Sequence, residues 1–106
     1  MNELFSLEGR IAIVTGSAQG LGYTIARGML DAGAKVVLSD VSAAPLMLAQ
    51  ATLRAEGYEA PAYVFDISDE RAVTEAVSAI EREVGPIHIL VNNAGIHRRN
   101  PLIEMP

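Results

Sequence analysis

Ile11-Ala12-Ile13-Val14-Thr15-Gly16-Ser17-Ala18-Gln19-Gly20-Leu21-Gly22 is the stretch on which the reading of this chain turns. The apolar run Ile11 to Val14, ended by Thr15-Gly16, predicts a short strand buried on both faces. From Gly20 the apolar period changes. Leu21, Ile25 and Met29, with the alanine between them, fall on one helical face, and Gly33 caps the helix at its C-terminal end. The chain therefore leaves a buried strand and enters a helix through a turn rich in glycine.

The same alternation repeats outward. Val36-Val37-Leu38 predicts a second buried strand, closed by Ser39-Asp40. Ser42 is a candidate N-cap, with Pro45 tolerated in the first turn and Leu46, Ala49 and Leu53 on the buried side. Gly57 ends that helix. Ala62 to Phe65 predicts a third strand. Ser68 is the expected cap of a third helix, whose first turn carries Asp69 and Glu70 at the positive end of the dipole. Val73, Ala76, Val77, Ile80 and Val84 line its apolar side, and Gly85-Pro86 stops it. Ile87 to Val91 predicts a fourth strand. The order β-α-β-α-β-α-β, with apolar strands between amphipathic helices, implies a parallel sheet covered on both faces. Right-handed crossovers make this an α/β, Rossmann-type doubly wound sheet.

The glycine turn has a chemistry that follows from geometry. Gly16 lets the chain turn sharply. Gly20 lacks a Cβ, so backbone can approach a pyrophosphate. Gly22 lets the helix lie close to the sheet. The helix N-terminus aims free N–H groups and positive dipole at the phosphates. The spacing is G-x-x-x-G-x-G, not G-x-G-x-x-G, and an ordinary glycine-rich turn would satisfy it too. No G-K-[ST] follows, which argues against a nucleoside triphosphate site. Asp40 adds a second observation. It ends the second strand close to the interval of about 20 residues at which a dinucleotide fold places a ribose-binding carboxylate. A carboxylate there repels a 2′-phosphate, so NAD is favoured over NADP. No arginine stands at Ser17, Ala18 or Gln19 to accommodate such a phosphate. The alternative for Asp40 is a solvated carboxylate opening a turn.

Composition narrows the classes. The chain has 106 residues, enough for one domain with a real core. Eight basic against 13 acidic residues leave a net charge of −5, and the basic ones are scattered apart from Arg98-Arg99. This argues against nucleic acid or an anionic membrane as partner. There is no cysteine, hence no disulfide or thiolate metal site, and a reducing compartment is compatible. No signal peptide or bilayer-length apolar run is read in it, so a cytoplasmic protein is expected. His88 and His97 have no metal-ligand spacing, and no metal is assigned. His88 reads as a structural or surface histidine, and His97 as facing the cleft near the chain's end.

Together these residues resemble the short-chain dehydrogenase/reductase family. Thr15-Gly16-x-x-x-Gly20-x-Gly22, Asp66 after the third strand and Asn92-Asn93-Ala94-Gly95 after the fourth carry the resemblance. It implies that Gly16, Ser17, Gln19, Gly20, Leu21 and Gly22 hold the pyrophosphate. It implies that Asp66 and Ile67 border the adenine, that the Asn-Asn-Ala-Gly segment stabilises the central sheet, and that Asn93, Ala94 and Gly95 lie by the cofactor. A closer resemblance is to its gluconate 5-dehydrogenase-like, sugar-acid branch, through Leu4-Phe5-Ser6-Leu7, the glycine turn, and Ile96 followed by Arg98-Arg99. That implies interconversion of a hydroxyl and a ketone, as in gluconate and 5-ketogluconate, with NAD or NADP. Acyl and steroid reductases share the same N-terminal half and stay open. Arg98 or Arg99 is a candidate bidentate clamp for a substrate carboxylate, the alternative being a solvated charge pair or a subunit contact. The resemblance further implies a homo-oligomer, dimer or tetramer.

The family's catalytic Tyr-x-x-x-Lys is absent. The single lysine, Lys35, has Asp31 four residues before it, and Tyr23, Tyr58 and Tyr63 are followed at that spacing by Arg27, Ala62 and Ile67. No catalytic residue is therefore assigned, and residues 1–106 read as the N-terminal dinucleotide-binding part of one domain without its catalytic half. The fourth strand is too apolar for a protected edge. Three explanations compete: a fragment of a longer enzyme, a truncated product, or a half-size module that binds a dinucleotide or self-associates. The first is favoured because the interruption falls at no natural domain boundary.

Overall fold

The computed structural model describes residues 6–93. Its elements run β1 (Ile11–Thr15), α1 (Gly20–Asp31), β2 (Lys35–Asp40), α2 (Ala43–Ala55), β3 (Ala62–Val64), α3 (Glu70–Glu83) and β4 (Ile89–Asn92). The strands form one sheet in the order β3-β2-β1-β4, and every neighbouring pair is parallel. The chain thus works outward from β1 to β3 and then crosses back to β4 on the other side. This is the doubly wound α/β topology expected of alternating buried strands and amphipathic helices.

Strand alternation divides the core between the two faces. Val14, Val36 and Leu38 pack with Ala26, Leu46 and Leu53, the buried sides of α1 and α2. Ile13 and Val37, one residue out of phase, pack with Ile80 of α3. Such two-sided burial is why β1 and β2 are continuously apolar instead of alternating. The helices stop where glycine adopts a left-handed conformation, at Gly33 (φ 100°) and Gly57 (φ 97°).

Several local expectations need correction. Leu21 is 55% exposed; α1 instead buries Gly22 and Ala26, with Ile25 and Met29 partly covered. The closest approach of helix to strand falls at glycine, so the contact stripe is displaced by one residue from the large side chain. Ser42 stands at the N-cap of α2 but makes no side-chain capping bond. At α3 the cap is Asp69, whose Oδ1 accepts from the N–H groups of Arg71 and Ala72, both at 3.1 Å. Ser68 is engaged instead by Asp66, whose Oδ1 accepts from its N–H at 2.9 Å and its hydroxyl at 2.8 Å. β3 ends at Val64, one residue early, and β4 begins at Ile89.

His88 has a structural role beside β4. Its N–H donates to the Ile11 carbonyl at 2.8 Å, and its imidazole Nδ1 accepts from the Ile11 N–H at 3.0 Å. The ring takes the place of a carbonyl where the β1–β4 ladder begins. Within the described residues β4 is a sheet edge, and its Leu90 is 64% exposed.

Surface clips tie neighbouring elements together. The Arg27 Nε meets Glu56 Oε1 at 2.7 Å while its guanidinium lies 5.7 Å from the Tyr58 ring centre. The Tyr58 hydroxyl donates to Asp31 and that of Tyr63 to Glu83. These carboxylate acceptors raise both phenols above the ordinary value of 10.0, and partial burial adds to the shift. Ionising either phenol breaks its bond and sets two negative charges together. The stabilisation is therefore complete below about pH 10 and is lost as pH rises through the higher folded values. Stability measured by denaturant titration should fall from pH 9 to 11 (about that range) more steeply in the wild type than in a Tyr58→Phe/Tyr63→Phe variant. Parallel curves would show that the clips contribute nothing.

Candidate functional site

A cleft of about 340 Å³ opens at the carboxyl ends of β1, β2 and β3. Open α/β sheets place ligands at this end, where loops leave alternately for the two faces. The glycine turn contributes Gly16, Gln19 and Gly20, the end of β2 contributes Asp40, and the loop after β3 contributes Asp66 and Ile67. Thr15, Ser39, Val41 and Phe65 complete the lining.

The turn is shaped by two left-handed glycines, Gly16 (φ 65°) and Gly20 (φ 60°). A Cβ at Gly20 would meet nothing within 4 Å, so the backbone there is open to an incoming group. Gln19 stands at the N-cap of α1 without making a side-chain capping bond, and the first turn holds no acidic residue. The amide donors and positive dipole at this helix end are thus left for an anion.

Behind the cleft the loop is held at several points. Ser17 is fully buried; its Oγ accepts from the Ser39 N–H at 2.9 Å and lies 3.3 Å from the Ser39 carbonyl, which also accepts from the Ser17 N–H at 3.0 Å. The Asn93 Nδ2 donates to the Gly16 carbonyl at 3.1 Å. The Thr15 hydroxyl reaches the Val91 carbonyl and Asn92 Oδ1 at 3.3 and 3.2 Å. Gly22 lies in the tightest contact: a Cβ there would sit 2.0 Å from the Gly16 carbonyl oxygen and 2.6 Å from Asn93 Nδ2. On the open side, Asp40 Oδ2 accepts from the Ala18 N–H at 3.1 Å and Oδ1 from the Val41 N–H at 2.8 Å.

The residues singled out from the sequence thus divide. Gly16, Gln19, Gly20, Asp40, Asp66 and Ile67 line the cleft, whereas Ser17, Leu21, Gly22 and Asn93 do not. Ser17, Gly22 and Asn93 shape the loop from behind, and Leu21 is exposed. Ala94, Gly95, Arg98 and Arg99, together with His97, lie outside the described residues. Ser39, Val41 and Phe65 also line the cleft without a motif to point to them, and Thr15 does so although the motif it heads gives it no role. Adjacency to strand ends does not say which side chain faces the opening.

The family model described as short chain dehydrogenase matches residues 10–106. The chain belongs to the short-chain dehydrogenase family. It is 52% identical over 102 residues to gluconate 5-dehydrogenase of Gluconobacter oxydans, covering 96% of this chain and 40% of that protein. It is 44% identical over all 106 residues to 5-keto-D-gluconate 5-reductase of Escherichia coli, covering 42% of it. Among solved structures, 2-keto-3-deoxy-D-gluconate dehydrogenase from Streptococcus agalactiae superposes with a TM-score of 0.83 at 41% identity, covering 96% of this chain and 38% of that one. A gluconate 5-dehydrogenase from Burkholderia cenocepacia, in complex with NADP and tartrate, gives 0.80 at 43% identity, with coverages of 96% and 40%. This short-chain dehydrogenase chain therefore spans about 40% of the length of such relatives.

Two glycines of α1 provide a matched test of how the turn is built. Gly22→Ala forces backbone against backbone and should destabilise the fold by more than about 2 kcal/mol. Gly28→Ala, exposed with nothing near its Cβ, should stabilise it by about 0.5–1 kcal/mol. Denaturant titration of both variants checks this, and effects of the same sign would contradict the packing.

Proposed function

We propose that the cleft is the adenosine diphosphate half of a nicotinamide dinucleotide site, with NAD preferred. The observation that carries this reading is one carboxylate, Asp40, at the end of β2, facing the same cleft as an uncapped helix N-terminus and an open Gly20. The residues fit the group. Gly16, Gln19 and Gly20 would hold the pyrophosphate, Asp40 the adenosine ribose, and Asp66 and Ile67 the adenine edge. Ser17, Gly22 and Asn93 would support the loop without touching the cofactor. When bound, the nicotinamide supplies or accepts a hydride.

The whole protein would then be a cytoplasmic, homo-oligomeric oxidoreductase that interconverts a hydroxyl and a ketone on a sugar acid or polyol. Similarity to gluconate 5-dehydrogenase and 5-keto-D-gluconate 5-reductase supports gluconate and 5-ketogluconate as the substrate pair. The sequence has no Tyr-x-x-x-Lys, so we assign this chain cofactor binding and no proton transfer, and expect it to be inactive by itself. An NADP complex of one similar enzyme leaves the fold free to take either cofactor. The preference for NAD rests on the charge of Asp40.

Calorimetric titration with NAD and NADP tests the cofactor reading. NAD should bind at least about tenfold more tightly, a difference of about 1.4 kcal/mol. Equal affinities would overturn the preference, and no binding of either would overturn the site. Arg98 or Arg99 is the proposed carboxylate clamp. In the whole enzyme, replacing the clamping arginine with Ala should raise KM for gluconate by about tenfold and leave that for an uncharged polyol unchanged. Equal effects on both substrates would remove the clamp.

A further inference from the structure

α2 is apolar on both of its sides. The buried side carries Leu46, Ala49 and Leu53. On the opposite side Ala44, Leu48, Ala51 and Ala55 recur at intervals of four, three and four, and all of them are exposed, Leu48 by 69%. Such intervals make the seam of a coiled coil, where a surface helix ordinarily carries charge. Met47, 44% exposed, flanks the seam. Arg54 flanks it too, as the single charged residue among the 13 of the helix. α3 shows the contrast, with charge at Glu70, Arg71, Glu75, Glu81, Arg82 and Glu83. A groove of about 270 Å³ borders the seam at Leu48, with Tyr23, Pro45 and Thr52 in its walls, and extends the surface towards α1.

We propose that this outer face of α2 docks on the same face of a second copy of the chain, the two helices antiparallel, with Leu48 over Ala51 of the copy and Ala44 over its Ala55. The pairing depends on no part of the cofactor reading. Shape, charge and position select a copy as the occupant. With a twofold axis between Leu48 and Ala51, each leucine meets an alanine, and alanine elsewhere in the seam lets the helix axes approach to about 8 Å. The chain carries a net charge of −5, so copies repel one another, yet none of its 13 acidic residues lies in α2. An antiparallel pair sets the two Arg54 side chains about 13 Å apart along the axis, where a parallel pair would set them side by side, and it opposes the helix dipoles. β4, from which the chain continues, is at the other edge of the sheet from β3, whereas α2 packs on β2 and β3. A later segment of the same chain therefore starts from the far side. Area sets the strength. A helix of 13 residues is about 20 Å long, and one face of it buries about half of the roughly 800 Å² per partner of a standard interface. The association is weak and reversible.

The chain has no cysteine of its own, so introduced cysteines report the pairing directly. Ala44→Cys and Ala55→Cys, both at exposed positions, should cross-link to each other when mixed at about 1 mM under mild oxidation. Neither should cross-link to itself, because like positions of the antiparallel pair lie about 16 Å apart, beyond disulfide reach. In sedimentation equilibrium the wild type should associate as its concentration rises to about 1 mM, and Ala51→Glu should weaken that association at least about tenfold. Cross-linking of Ala44→Cys to itself overturns the antiparallel arrangement. A wild type that stays monomeric, with no cross-link in the mixture, overturns the docking, and this holds even where Ala51→Glu fails to fold. Association that Ala51→Glu leaves unchanged overturns this surface and assigns self-association to another one.

Discussion

The contact between Gly22 and the Gly16 carbonyl sets the geometry on which the site depends. A hypothetical Cβ on Gly22 would lie 2.0 Å from that oxygen, so α1 can cross β1 at this distance only with hydrogen in the side-chain position. The crossing brings the first turn of α1 directly over the carboxyl end of β1. Gly16 and Gly20 then take left-handed conformations to connect the two in so short a loop. Move the helix outward and the donors at its N-terminus leave the cleft. The Asn93 Nδ2 bond to Gly16 secures the same carbonyl from the neighbouring strand, so a residue after β4 stabilises a turn that follows β1.

Much of this architecture is legible because burial on two faces leaves a simple trace. Val36-Val37-Leu38 is apolar throughout, and Val37 meets the α3 side of the sheet while its neighbours meet α1 and α2. Leu46, Ala49 and Leu53 have helical spacing and are all buried. The trace fails where size and position part company. Leu21 looks like a core residue, yet the helix touches the sheet through its smallest residue, one place along. At α3, Ser68 and Asp69 are both good capping residues. Tertiary geometry gives the cap to Asp69 because Ser68 is occupied by the turn that Asp66 closes.

The site is less legible than the fold for a related reason. Residue type and spacing bring out Gly16, Gly20, Asp40 and Asp66, whose roles depend on backbone shape or charge. They do not distinguish a side chain that faces the cleft from one that faces the sheet. Ser17 sits between lining residues, but its hydroxyl is turned to β2, where it exchanges bonds with the backbone of Ser39. Within one tight loop, neighbouring residues divide between lining the cleft and fastening the loop from behind, and residue type does not tell the two apart.

The division between a cleft side and a buried side has an energetic consequence. The bonds of Ser17 and Asn93 form when the chain folds, in surroundings from which water is excluded, and a buried donor left without its acceptor costs about 1–3 kcal/mol. Loop order is therefore charged largely to folding, and a ligand meets donors already placed. Asp40 is the exception, a half-exposed acceptor whose bond to Ala18 forms in contact with solvent. Charge at this position can change without opening the buried fastenings, because Ser17 still ties the loop to β2. The loop is thus held from behind by buried bonds and in front by one half-exposed carboxylate.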